Sequence, residues 1–245
     1  MAKTKIEWCD ETRNPVKGLC PMACDYCYAR AMYKRFKWNP EIRIAPDAFD
    51  YLPKKPSRIF VGSTIELFGE WVKPEWMDAI FKRVSLNPQH TFLFLTKQPQ
   101  NLEKWSPFPD NCHVGVSATN TKMLTRATEH LDSIRARVKF ISIEPLLDWK
   151  YLYPVTFPLS KFLSGSADWI IIGQRTPVSA KTSPNIEWIT EIVEAADKAN
   201  IPVFLKDNLE SLWTLENSKE PFFKFSRPSP GATEIGKLRQ ELPNK

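Results

Sequence analysis

Thr91-Phe-Leu-Phe-Leu-Thr96, followed at once by Lys97 and Gln98, reads as a buried strand closed by polar residues. Four apolar side chains in a row, without alternation, mark a strand covered on both faces, the habit of parallel sheets flanked by helices. The pattern recurs outward from there. Upstream lies Arg58-Ile-Phe-Val-Gly62. Downstream lie His113-Val-Gly-Val-Ser117, Val138-Lys-Phe-Ile-Ser-Ile143, Asp168-Trp-Ile-Ile-Ile-Gly173 and Pro202-Val-Phe-Leu205. A first strand is expected around Asn14-Pro-Val16.

Helical patterns alternate with these runs. Pro74 can open a helix in which Trp76, Ile80 and Val84 share a face, with Met77 and Phe81 beside them. Asn120 can cap one carrying Leu124, Ala127, Leu131 and Ile134 on one side. Ser183-Pro184 reads as a cap leading into Ile186, Ile189, Val193 and Ala196. Strand–helix alternation with short joints predicts an α/β fold with parallel strands: a partial or near-complete (β/α) barrel of six or seven units. We expect a single domain over residues 1–220, with 221–245 as a C-terminal tail.

Composition sets bounds on function. Hydrophobic residues make up 42% and charged residues 25%, the balance of an ordinary globular protein. Nine Trp and fifteen Phe read mostly as core. A formal charge of +6 leans toward polyanionic partners, and the densest basic group is Lys34, Arg35 and Lys37. A solvated helix face explains that group equally well. No apolar run reaches the roughly 18–20 residues of a membrane span. Five cysteines, an odd number with three of them clustered, argue for a reducing compartment, and a cytoplasmic protein is expected.

The cluster is Cys20-Pro-Met-Ala-Cys24-Asp-Tyr-Cys27, directly after the first expected strand. Thiolates this crowded repel one another unless a positive centre sits among them. Zinc and a cubane iron–sulfur cluster each take four ligands, so three cysteines leave one position open or borrow a fourth. Zinc with three Cys and one His lacks a histidine near the loop: His90, His113 and His130 precede strands or sit on a helix. An iron–sulfur cluster with one open iron fits best. The alternative is a zinc-stabilised nucleic-acid-binding module without catalysis, its aromatics stacking on bases.

Reactive groups in parallel β/α folds gather at the carboxyl ends of strands. Here every such end is polar: Gly62, Ser63, Thr64 and Glu66; Thr96, Lys97 and Gln98; Ser117, Thr119 and Asn120; Ser142 and Glu144; Gly173, Gln174 and Arg175; Lys206, Asp207 and Asn208. Cys112 falls at the opposite rim and reads as an inert core thiol.

The Cys-x3-Cys-x2-Cys spacing, with Tyr26 before the last cysteine, resembles the signature of the radical S-adenosylmethionine superfamily. A wider likeness runs through Lys5-Ile-Glu-Trp8, Asn14-Pro-Val16, Phe60-Val-Gly-Ser63, Leu67-Phe-Gly-Glu70, His90-Thr-Phe92, Leu95-Thr-Lys97, Gly115-Val-Ser117, Ser142-Ile-Glu-Pro-Leu146 and Phe204-Leu-Lys-Asp-Asn208. These resemble a three-cysteine protein family of phage type that is itself similar to spore photoproduct lyase. Two features depart from it. Many phage-type members have a longer gap between the first two cysteines, and many end the sixth strand in Gly-Gly-Glu-Ser-Gly where this chain has Gly173-Gln-Arg-Thr-Pro177.

The resemblance implies that Cys20, Cys24 and Cys27 hold three irons of a [4Fe–4S] cluster and that S-adenosylmethionine chelates the fourth. One electron from a cellular reductant would then release a 5′-deoxyadenosyl radical for hydrogen abstraction. It further implies that Gly62, Ser63 and Thr64 meet the methionine amino group and that Tyr26 flanks the adenine. Ser117 and Glu144 would meet the ribose or carboxylate, and Gly173 the adenine. Lys97, Gln174, Arg175 and Lys206 are the candidates for the substrate side, with nucleic acid or a nucleotide as the expected substrate. No residue is assigned a catalytic role beyond the cluster.

Overall fold

The computed structural model describes residues 4–150, 158–213, 223–224 and 237–243. The chain divides into two compact units, Met1–Val116 with Ser133–Lys139, and Ser117–Asp132 with Phe140–Lys245.

The first unit carries β1 (Glu11–Arg13), β2 (Val16–Lys17), α1 (Tyr28–Phe36), β3 (Arg43–Ile44), β4 (Arg58–Val61), α2 (Pro74–Ser85), β5 (Thr91–Thr96) and β6 (Cys112–Ser117, its last residue in the second unit). β1 pairs with β4, β4 with β5 and β5 with β6, all parallel. β2 and β3 form a short antiparallel pair beside them. The continuous apolar runs are buried on both faces as their composition demands, with Ile59, Phe92, Phe94 and Val114 wholly enclosed. Each such side chain contributes about 1.5–3 kcal/mol of burial. Phe81 packs on Phe94 and Phe108 at ring separations of 5.4 and 5.7 Å, so these aromatics are core.

The second unit carries α3 (Thr121–Asp132), β7 (Val138–Ile143, from Phe140 on), α4 (Leu159–Leu163), β8 (Trp169–Ile172), α5 (Ile186–Lys198), β9 (Val203–Leu205) and a small antiparallel pair, β10 (Phe223–Lys224) with β11 (Lys237–Leu238). β7 pairs with β8 and β8 with β9, again parallel. The main sheet runs β1-β4-β5-β6-β7-β8-β9, the sequential order of an open, partial β/α barrel. No helix among the described residues is long and apolar enough to cross a membrane.

Helix starts follow their local chemistry. Asn120 caps α3 by accepting from the Met123 N–H at 2.9 Å. Pro74 opens α2, which buries Met77, Ile80 and Val84. α5 begins at Ile186 with Asn185 flanking it, two residues beyond the expected Ser183 cap. The Ser183 hydroxyl donates instead to Gln174 Oε1 at 2.9 Å. The first strand also lies earlier than expected, at Glu11–Arg13 rather than Asn14–Val16. Pro15 has no N–H for a ladder, and its carbonyl accepts from Ala45 N as the chain leaves the sheet. Much of the 221–245 segment expected as a tail lies outside the described residues.

Candidate metal centre

The cysteine loop hangs between β2 and α1 and is fastened at both ends. Gly18 enters it at φ +135°, and a Cβ there would sit 2.6 Å from the Ile42 backbone, so glycine is required by the close approach. Its N–H donates to the Tyr33 hydroxyl at 2.8 Å, and Leu19 N donates to Pro40 O at 2.9 Å. Arg30 of α1 reaches back to the Cys20 carbonyl at 2.7 Å. Cys27 directly precedes α1, its N–H closing a turn on Cys24 O at 3.1 Å. Cys20, Cys24 and Cys27 are all free thiols and half-buried.

Strand ends of the first unit hold the loop from below. Glu66, almost fully buried, accepts from Phe68 N at 3.0 Å, Thr96 Oγ1 at 2.7 Å and Lys97 N at 2.7 Å. Burial pushes its carboxyl above the usual carboxylate range, against the pull of those donors. Its own N–H points at Cys20 Sγ, 3.5 Å away. Burial likewise raises the Cys20 thiol. Burial, and then the Cys24 thiol beside it, raises the Tyr26 phenol. Lys97 Nζ stands 5.9 Å from the Tyr26 ring centre, a cation over an aromatic face. Gln98 Nε2 meets the Met22 thioether at 3.0 Å.

Gly62, Ser63 and Thr64 lie next to the same loop. Gly62 takes φ +83°. Asn14 Oδ1 gathers Ser63 Oγ, Thr64 N and Thr64 Oγ1, each at 3.2 Å, and Tyr28 donates to Ser63 O at 2.6 Å. The first unit thus brings together Cys20, Cys24, Cys27, Tyr26, Gly62, Ser63, Thr64 and Lys97. Sequence reasoning missed Asn14 as the hub, Met22 with Gln98, and the duty of Glu66 toward Cys20. An asparagine six residues before the motif was the one available signal.

The remaining predicted residues form a second group, in the second unit. Ser117 is buried at the end of β6. Glu144 follows β7 and pairs with Lys206, which follows β9. Gly173 lies against both: a Cβ there would sit 2.9 Å from Lys206 Cδ and 3.3 Å from Glu144 Cγ. Gln174 is buried and fully engaged, its amide donating to Asn208 O and to Ser211 Oγ at 3.2 Å while it accepts from Ser183. Arg175 is half-buried beside it.

Among the described residues no three His, Cys, Asp or Glu side chains converge on one ion. A cubane binds each thiolate through a different iron, so its ligands need not meet at a point. The donor set fits that group: three free thiols on one anchored loop, with a backbone N–H donated to one sulfur, the contact that tunes such clusters.

Residues 3–221 match the family described as "Protein of unknown function (DUF5131)". The chain belongs to that family. No curated protein sequence matches this DUF5131 chain. Solved structures that share its fold include two of spore photoproduct lyase. One is a cysteine-to-serine mutant of spore photoproduct lyase, at TM-score 0.55 and 10% identity over 84% of this chain and 78% of that one. The other is a double mutant of the same enzyme with bound AdoMet and dinucleoside spore photoproduct, at TM-score 0.54 and 11% identity over 83% and 78%. At such identity the likeness is one of fold.

Proposed function

We propose that this DUF5131 protein is a radical S-adenosylmethionine enzyme. The observation that carries the reading is the trio Cys20, Cys24 and Cys27: free, half-buried, spaced Cys-x3-Cys-x2-Cys and anchored on a loop of a parallel β/α fold. Likeness to a lyase solved with bound AdoMet supports it at the level of fold. When bound, a [4Fe–4S] cluster with S-adenosylmethionine supplies a carbon-centred radical that abstracts a hydrogen atom.

The chain's own residues bind and orient. The three cysteines would ligate the cluster and leave one iron to the sulfonium cofactor. The Glu66 N–H steadies Cys20 Sγ, and Asn14 holds the Ser63–Thr64 segment, our candidate for the methionine amino group. Tyr26 is assigned to the adenine. The same proposal gives Ser117, Glu144 and Gly173 their ribose, carboxylate and adenine roles. Lys97, Arg175 and Lys206 are the substrate-side candidates, while the satisfied amide of Gln174 makes that residue a scaffold for its neighbours. The substrate is a nucleic acid or a nucleotide, and a one-electron reductant is the second partner.

Anaerobic reconstitution followed by dithionite and S-adenosylmethionine tests the reading. It expects brown protein with matched iron and sulfide, and 5′-deoxyadenosine that disappears in Cys24→Ala. Colourless protein holding zinc would instead support a structural metal module.

A further inference from the structure

The C-terminal half of α1 and the turn after it put two aromatic rings and a row of cations in water. Phe36 and Trp38 are 51% and 42% exposed, and their rings stack at 5.6 Å with a 22° interplanar angle. α1 buries Ala29 and Tyr33, which leaves Lys34, Arg35 and Phe36 outward. Lys37 ends the helix in the left-handed conformation, φ 51°, a place where glycine is the usual residue. That turn brings Trp38 back against Phe36 and edge-on to Tyr33 at 5.2 Å. Arg35 lies over the Phe36 ring at 5.3 Å.

Charge on this face is one-sided. Between residues 28 and 43 stand Arg30, Lys34, Arg35, Lys37 and Arg43 against Glu41 alone. Lys34, Arg35 and Lys37 form no ion pair among the described residues. An open hollow of about 610 Å³ adjoins the patch, lined by Trp38, Tyr33, Lys34 and Arg30 together with Cys24, Cys27 and Asp25.

We infer that this surface docks single-stranded nucleic acid, with bases extending the Phe36–Trp38 stack and phosphates lying on Lys34, Arg35 and Lys37. Aromatic platforms interleaved with cations bind unpaired bases because every base has a stacking face and every phosphate a charge. A duplex keeps its bases stacked on each other and gives the rings nothing to hold. The inference deepens the proposed function by naming its nucleic-acid partner as a single strand, and it rests on that reading only in calling the strand a substrate. Docking itself needs no cluster.

The test is fluorescence anisotropy of the full chain, with and without reconstituted iron, on labelled oligothymidylate and oligouridylate of about twelve nucleotides. A duplex of equal length and phosphatidylserine vesicles serve as competitors. Phe36→Ala with Trp38→Ala should weaken binding at least about tenfold, as loss of a stacking platform does. Trp38→Phe, which keeps a ring, should bind nearly as the parent. Lys34→Gln with Lys37→Gln should reduce the slope of log affinity against log salt by about 1.4, the value for two phosphate contacts on a single strand. That pair is exposed and tests the surface even if the ring variant misfolds. Unchanged affinity and slope, equal affinity for the duplex, or displacement of the oligonucleotide by vesicles would overturn the inference. A parent protein that forms 5′-deoxyadenosine yet does not bind the oligonucleotides overturns this surface alone; binding by protein that never takes up iron overturns the radical reading alone.

Discussion

Glu66 is a carboxylate with almost no water around it and three donors aimed at its two oxygens. Glu66→Gln keeps the shape but offers one acceptor oxygen, so an N–H or hydroxyl is left facing the amide nitrogen. A buried donor stripped of its partner costs about 1–3 kcal/mol, which a urea melt of the variant should register. The three-cysteine spacing was readable without a structure because it is local. Glu66 was legible only as a polar group after a strand; its bonding was not, because its partners Thr96 and Lys97 arrive with a strand 30 residues away. Cys9 lies outside the cysteine motif, and the fold gives it a plain role. It is buried, and burial pushes its thiol up to about 12. Cys112 opens β6 wholly enclosed, and burial raises it too. Iodoacetamide on the native, metal-free protein should therefore label the half-buried Cys24 and Cys27 first and Cys20, whose thiol burial also raises, more slowly, and spare the buried Cys9 and Cys112 by mass spectrometry. Cys112→Ala should cost about 1 kcal/mol of packing and leave iron uptake unchanged; lost iron would mean that Cys112 belongs to the centre.

Elements were legible where burial dictated composition. β5, β7 and β8 are apolar on both faces, and their runs stood out in the sequence. β1, Glu-Thr-Arg, did not, because a strand with one partner, β4, has no need of an apolar run. Its anchorage is polar instead. Asp10, just before β1, accepts from Arg58 N at 2.7 Å and from the Arg58 guanidinium at 2.9 Å. Those contacts hold its carboxyl below the usual carboxylate range. A depressed folded value means that this stabilisation is complete above the ordinary value of 3.8 and is lost as pH falls through and below it. Asp10→Asn should thus lower stability at neutral pH and narrow its gap to the parent in acid, a comparison that thermal melts at pH 7 and pH 3 provide. At the other end of β4, Gly62 carries φ +83°, and a Cβ there would lie 2.5 Å from Leu67 Cδ1. Left-handed backbone costs a side chain about 1–2 kcal/mol, and crowding adds about 1–3 kcal/mol. Gly62→Ala should therefore lower the urea midpoint clearly.

For the molecule as a whole, the rule that parallel strands end in chemistry located the polar residues but not their employment. Some strand-end groups serve each other: Glu144 holds Lys206, and Gln174 is tied to Asn208 and Ser211. Such pairings join residues far apart in the chain, and no local pattern encodes them. The same is true of what closes the sheet at β9. An open strand edge invites pairing with other chains, and proteins cover it. Here residues 239–241 do so, with Leu205 N donating to Arg239 O at 2.7 Å and Glu241 N to Val203 O at 3.0 Å. Arg239 binds Asp197 of α5 at 2.9 Å, the Trp169 indole donates to Glu241 O at 2.8 Å, and Leu238 is buried. Nothing in Lys237-Leu-Arg-Gln-Glu241 announces a strand, since its polar side chains are satisfied by the unit it lies on. Ending the chain at residue 236 removes those bonds, at about 1 kcal/mol each, and exposes about 2 kcal/mol of leucine burial. At about 2–4 °C per kcal/mol for a chain of this size, the melting temperature should fall by roughly 10 °C or more. Light scattering should show the truncated protein associating as the β9 edge is bared, and an unshifted, monodisperse melt would mean that the segment merely rests there.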